Sequence, residues 1–135
     1  MRRILPTIGL SIGIILACGP AGRLYAVGRT AAVSGYWTNA ATWPVTGIPA
    51  NNDDVTINSG VAVTADVSTA SLNSLAVGGT LVFSGWNTAI TSTTVTISDT
   101  VTHPPQSTTE TNPAGPWVPD NRVWFVCSNL TVSSG

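Results

Sequence analysis

Apolar and polar positions alternate along this chain in pairs of short patches, and the pairs recur. "VTINSGVAV" (55–63), "LAVGGTLVF" (75–83) and "VTISDTVTH" (95–103) share one layout. Val55, Leu75 and Val95 fall twenty residues apart, as do Ile57, Val77 and Ile97, and Val61, Leu81 and Val101. Turn-forming residues separate the two patches each time: Asn58-Ser59-Gly60, Gly78-Gly79-Thr80 and Ser98-Asp99-Thr100. "LTVSSG" (130–135) matches "VTINSG" (55–60) and follows Val95 at an offset of 35, not 20. The additional fifteen residues fall in one Pro-rich insertion.

Taken alone, Gly78-Gly79 between apolar runs signals a β-hairpin. A fixed interval of one two-patch unit points elsewhere. Short strands with polar corners every twenty residues predict a right-handed parallel β-helix, a solenoid in which each turn of chain stacks ~4.8 Å above the last. A meander or sandwich is the competing fold. In the solenoid, Val55, Ile57, Val61 and Val63 point inward and stack beneath Leu75, Val77, Leu81 and Phe83, while Thr56, Thr64, Ala76 and Val82 point outward. Leu75 and Val77 should then lie beside Val55 and Ile57 on one side and Val95 and Ile97 on the other.

The flanks read differently. Residues 34–54, "SGYWTNAATWPVTGIPANNDD", lack strand periodicity and predict a cap over the first rung. Trp37 and Trp43 are large enough to plug that end; the alternative is that both stack on a sugar, which makes them glycan-contact candidates. Five prolines in 103–121, at 104, 105, 113, 116 and 119, take this segment out of the ladder as a loop. Trp117 near its end either offers a ring face to a glycan or folds back on the flank. Gly135 aligns with the corner at Gly60, so the last rung stops half written. The expectation is a longer parent protein or, failing that, self-association through an open solenoid edge.

Composition adds compartment and removes partners. Charged residues make up only 8%, hydrophobic ones 43%, and no lysine occurs. Thr and Val favour strands because branched β-carbons fit a pleated surface. "MRR", the apolar run 4–17 and "GPAGRLYA" (19–26) have the layout of a secretory signal peptide, 1–26. Domain organisation follows: signal peptide 1–26, cap region 27–54, solenoid 55–135 with its insertion at 103–121. "ILAC" (15–18) resembles a bacterial lipobox, a lipidation alternative at Cys18. Removal of 1–26 leaves two arginines against six acids, a net charge of −4, with no basic footprint for nucleic acid or for an anionic membrane. Cys18 and Cys127 cannot form a disulfide framework, and Cys127 within "VWFVCSNL" reads as a buried small hydrophobe.

The order "ATW", "DDVTI", "GVAVTAD", "LNSLAVGGTLVF" resembles the start of secreted bacterial parallel β-helix proteins and the eight-glycine domain of extracellular proteins. The resemblance covers 34–83 and departs from the pattern where "ATW" runs into Pro44. It implies an exported surface or matrix protein, often adhesive or polysaccharide-associated, and carries over no catalytic residue.

Chemistry is sparse. Asp53, Asp54, Asp66, Asp99, Glu110, Asp120, His103 and Arg122 are the groups available to a lyase-type site. Asp53 and Asp54 are adjacent and point to opposite faces of an extended chain. No acids stack at the twenty-residue interval, and no metal or cofactor motif occurs. No catalytic residue, metal or cofactor is assigned. The expected function is an exported structural or adhesive surface segment that contacts polysaccharide or cell-surface glycan. The alternative is the N-terminal part of a polysaccharide-degrading lyase or glycosidase whose site lies outside this chain.

Overall fold

The twenty-residue interval becomes strand pairing in the computed structural model, which describes residues 25–106 and 119–133. Nine strands occur among the described residues: β1 (Gly28–Ala31), β2 (Gly35–Tyr36), β3 (Asp54–Ile57), β4 (Ala62–Ala65), β5 (Leu72–Val77), β6 (Thr80–Phe83), β7 (Ile90–Ile97), β8 (Val101–Thr102) and β9 (Phe125–Val132). One 3-10 turn, Ala40–Thr42, precedes β3. Odd-numbered strands form a five-stranded sheet in the order β1-β3-β5-β7-β9, and even-numbered strands form a second, β2-β4-β6-β8. Every pairing is parallel. The chain is thus all-β with almost no helix, and consecutive strands from β1 to β9 fall in alternate sheets.

The five-stranded sheet has the expected register. Val55 lies beside Leu75 and Ile57 beside Val77; Leu75 lies beside Val95 and Val77 beside Ile97. The offset of 35 also holds, with Val95 beside Leu130. β5 and β6 do not pair, so the Gly78-Gly79 corner carries the chain from one sheet to the other. Its fit is set by the corner next to it. The Gly78 amide donates to the Ile57 carbonyl at 2.9 Å and the Thr80 amide to the Val61 carbonyl at 2.9 Å. A Cβ at Gly79 would overlap the carbonyl oxygens of Asn58 and Val61. Glycine stands there because backbone approaches backbone.

The second sheet departs from the expected stacking. Val63, not Val61, lies beside Leu81, and Ala65 lies beside Phe83; Leu81 keeps its twenty-residue step to Val101. The cause is the 58–61 corner. Gly60 adopts φ +77, and the Val61 amide donates to the Asn58 carbonyl at 3.1 Å. This full turn, with glycine at its left-handed third position, takes two residues more than Gly78-Gly79. Val61 is accordingly half-buried at the corner while Val63 is fully buried.

One hydrophobic cluster draws on the inward rows of both sheets, including Val55, Ile57, Val63, Leu75, Val77, Leu81, Phe83, Ile90 and Val95. Ala65 beside Phe83 lets a small residue face a large one. Phe83 meets Phe125 edge to face, ring centroids 5.1 Å apart.

Residues 27–54 supply the first strand of each sheet as well as a covering segment. Trp37 and Trp43 are 2% and 1% exposed, with centroids 5.1 Å apart and planes at 69°. The Trp43 Nε1 donates to the Trp37 carbonyl at 2.9 Å, so the buried indole keeps a partner. Arg29 of β1 donates through Nε to Asp53 Oδ2 at 2.7 Å, and the Ala50 amide donates to the same oxygen at 2.8 Å. Burial by itself raises the Asp53 pKa. The amides of Ala50 and Val27 and the Arg29 guanidinium outweigh it, and the carboxyl sits below its ordinary value. At the opposite edge β9 pairs, among the described residues, with β7 alone, and its Leu130 and Val132 are 52% and 67% exposed.

The expected signal segment up to Leu24, with Cys18, lies outside the described residues, as do Glu110, Trp117 and Gly135.

Candidate functional site

The turn from β6 to β7 is built from short polar residues. Gly85 takes φ +97, and the Thr88 hydroxyl donates to the Ser84 carbonyl at 2.6 Å, which closes the turn. Trp86 projects from it, 39% exposed. Across from this turn the chain re-enters the sheet at β9. The Ile90 amide donates to the Trp124 carbonyl at 3.0 Å, which sets Trp124 beside the same turn, 37% exposed. Between the two indoles lies Arg122. Its guanidinium carbon is 4.5 Å from the Trp86 ring centroid and 3.8 Å from that of Trp124, a cation held by two aromatic faces. The Arg122 Nε is buried and meets no hydrogen-bond acceptor among the described residues.

The neck of the 103–121 insertion anchors this cluster. Gln106 Oε1 accepts from the amides of Asp120 at 2.8 Å and Asn121 at 3.1 Å, and Gln106 Nε2 donates to the Asn121 carbonyl. Asn121 Oδ1 in turn accepts from the Gly85 amide at 2.9 Å. One glutamine therefore ties the two ends of the insertion together, and one asparagine ties them to the turn that carries Trp86. What results is a partly exposed aromatic platform with a positive charge at its centre. Such a surface can pack against the C–H face of a sugar ring and hydrogen-bond to its substituents.

The residues singled out from the sequence fall elsewhere. Trp37 and Trp43 are inside the molecule, and neither ring face is open to a ligand. The acids are each engaged locally: Asp53 by Arg29, Asp54 by the Ser74 hydroxyl and Asn73 amide, Asp66 by Thr38, and Asp99 by Thr100. Asp120 accepts from Asn121 Nδ2 at 3.0 Å. His103 contacts the Pro104 carbonyl through Nδ1 at 2.7 Å. Among the described residues no three His, Cys, Asp or Glu side chains converge to hold a metal. Cys127 is a free, half-buried thiol against the core. It lines a groove of about 320 Å³ with Ser71, Leu72, Ser92 and Val126, which presents no charge.

Arg122 stood in the sequence as one of several groups for a lyase-type site, and Trp86 and Trp124 did not stand out. Extending the β9 offset by one residue, from Ile90 beside Phe125 to Ala89 beside Trp124, would have set Trp124 against the turn of Trp86.

Residues 42–106 match the G8 domain. The G8 domain is an extracellular β-rich domain, and its match runs from the buried Thr42 to the Gln106 clasp. Trp86 lies inside the matched residues, whereas Arg122 and Trp124 lie beyond them, so the platform is shared between the matched residues and the chain that follows. No curated protein and no solved structure matches this chain. Among the described residues no helix is long and apolar enough to cross a membrane.

Proposed function

We propose that this chain is an exported cell-surface or matrix segment, a right-handed parallel β-helix that serves as an adhesive scaffold and contacts glycan through Trp86, Arg122 and Trp124. Strands falling alternately in two parallel sheets, in twenty-residue register, support the β-helix reading. The G8 match supports an extracellular setting, and the layout of 1–26 supports export by a signal peptide. The observation that carries the glycan contact is the pair of exposed indoles around one guanidinium at the neck of the insertion. Trp and Arg are the residue types enriched at binding hot spots, which favours a recognition face here.

The test is a broad glycan array probed with the full chain and with Trp86→Ala, Trp124→Ala and Trp117→Ala. Binding by the parent chain and a loss of at least about tenfold in the Trp86 and Trp124 variants, with melting temperature within a few degrees, is the expected result. Unchanged binding in both would remove the platform from the proposal.

A further inference from the structure

The described residues contain two cations, Arg29 and Arg122. Arg29 is bonded to the buried Asp53. Arg122 is held over two ring faces, with its Nε desolvated and, among the described residues, without an acceptor. The guanidinium can donate to the hydroxyls of a neutral sugar, but only an anion matches its charge. The same charge between two aromatic walls meets a two-oxygen anion well, since the planar guanidinium donates in a fork and the low-dielectric setting strengthens the pair.

We infer that the Trp86–Arg122–Trp124 platform takes an anionic glycan, a pyranose bearing a carboxylate or a sulfate ester. Arg122 bonds the acidic substituent, and the exposed parts of the two indoles border the sugar. The inference rests on the glycan-contact reading and adds the ligand class. The anion must come to a chain of net negative charge, so recognition is short-ranged and set by the stack rather than by long-range attraction.

Immobilised oligogalacturonate, a sulfated galactan and a neutral galactan of equal length, each probed with the full chain, separate the cases. Both acidic glycans should bind at least about tenfold more tightly than the neutral one. Arg122→Gln should erase that preference and keep the weak neutral binding, and Arg122→Lys should retain part of it, having charge without the planar stack. Preference for only one acidic glycan identifies carboxylate or sulfate as the group read. Equal affinity of the parent chain for acidic and neutral glycans overturns the inference and leaves the glycan contact standing; absence of binding to all three overturns both. Polyglutamate binding as tight as the glycans would also overturn it, in favour of an acidic protein partner. Should Arg122→Gln fail to fold, Arg122→Lys decides: a preference for the acidic glycans that weakens in the lysine variant supports the guanidinium contact, and a preference equal to that of the parent chain overturns it.

Discussion

At the scale of single residues, two positions hold the fold by unlike means. Gly79 is needed for space: its neighbours are backbone carbonyls of the adjacent corner, which cannot turn aside as a side chain can. Gly79→Ala should cost about 2–3 kcal/mol, whereas Gly28→Ala, with open space around it, should stay within about 0.5 kcal/mol; urea midpoints of the two variants check the contrast. Asp53 is needed for charge. Its folded pKa is depressed below the ordinary 3.8, so its stabilisation is fully present above the unfolded value and is lost as pH falls through the folded one. Thermal melts should therefore show stability declining below about pH 4, and Asp53→Asn should flatten that decline while lowering neutral-pH stability by about 2 kcal/mol. Platform residues were less legible than these. Trp124 sits in the apolar run "VWFVC" and reads as strand, and Trp86 sits in "SGWN" and reads as punctuation. Only the pairing of β7 with β9 brings them to one guanidinium, across 38 positions of sequence.

At the scale of elements, β3, β5 and the C-terminal half of β7 were legible residue for residue, because their inward rows are Val, Ile and Leu at a constant interval. The four-stranded sheet was not, because its register depends on how much chain a corner consumes. Asn58-Ser59-Gly60 and Gly78-Gly79-Thr80 look alike as turn formers, yet a left-handed Gly60 uses two more residues. Composition does not encode that length; backbone conformation does. The corrected register is open to measurement. Val63→Ala should cost about 2 kcal/mol as a buried row position, and Val61→Ala less than about 1 kcal/mol at its half-buried corner. Equal costs in denaturant melts would restore the uniform twenty-residue stacking. Residues 28–31 and 35–36 also escaped the periodicity, since strands of four and two residues are too short to show one.

For the whole molecule, the two edges of the five-stranded sheet differ. At the β1 edge residues 42–46 add bonds on and beside the strand: the Thr30 amide donates to Thr46 Oγ1 at 3.1 Å and the Ala32 amide to the Thr42 carbonyl at 3.2 Å. The β9 edge carries eight residues without a charge and exposes Leu130 and Val132. Uncharged edges invite strand addition. A Val132→Lys variant should therefore lower the concentration-dependent light scattering of the full chain at matched stability. The Gln106 clasp has a different consequence, for what the molecule tolerates. It brings the two ends of a long insertion to a single point, so the entropy of closing the loop is met at the neck and grows only slowly with loop length. Grafting an unrelated peptide in place of 107–118 should therefore move the melting temperature by only a few degrees, as thermal melts would read. The fold offers a socket beside its aromatic platform, where new specificity can be tried at little risk to the scaffold beneath.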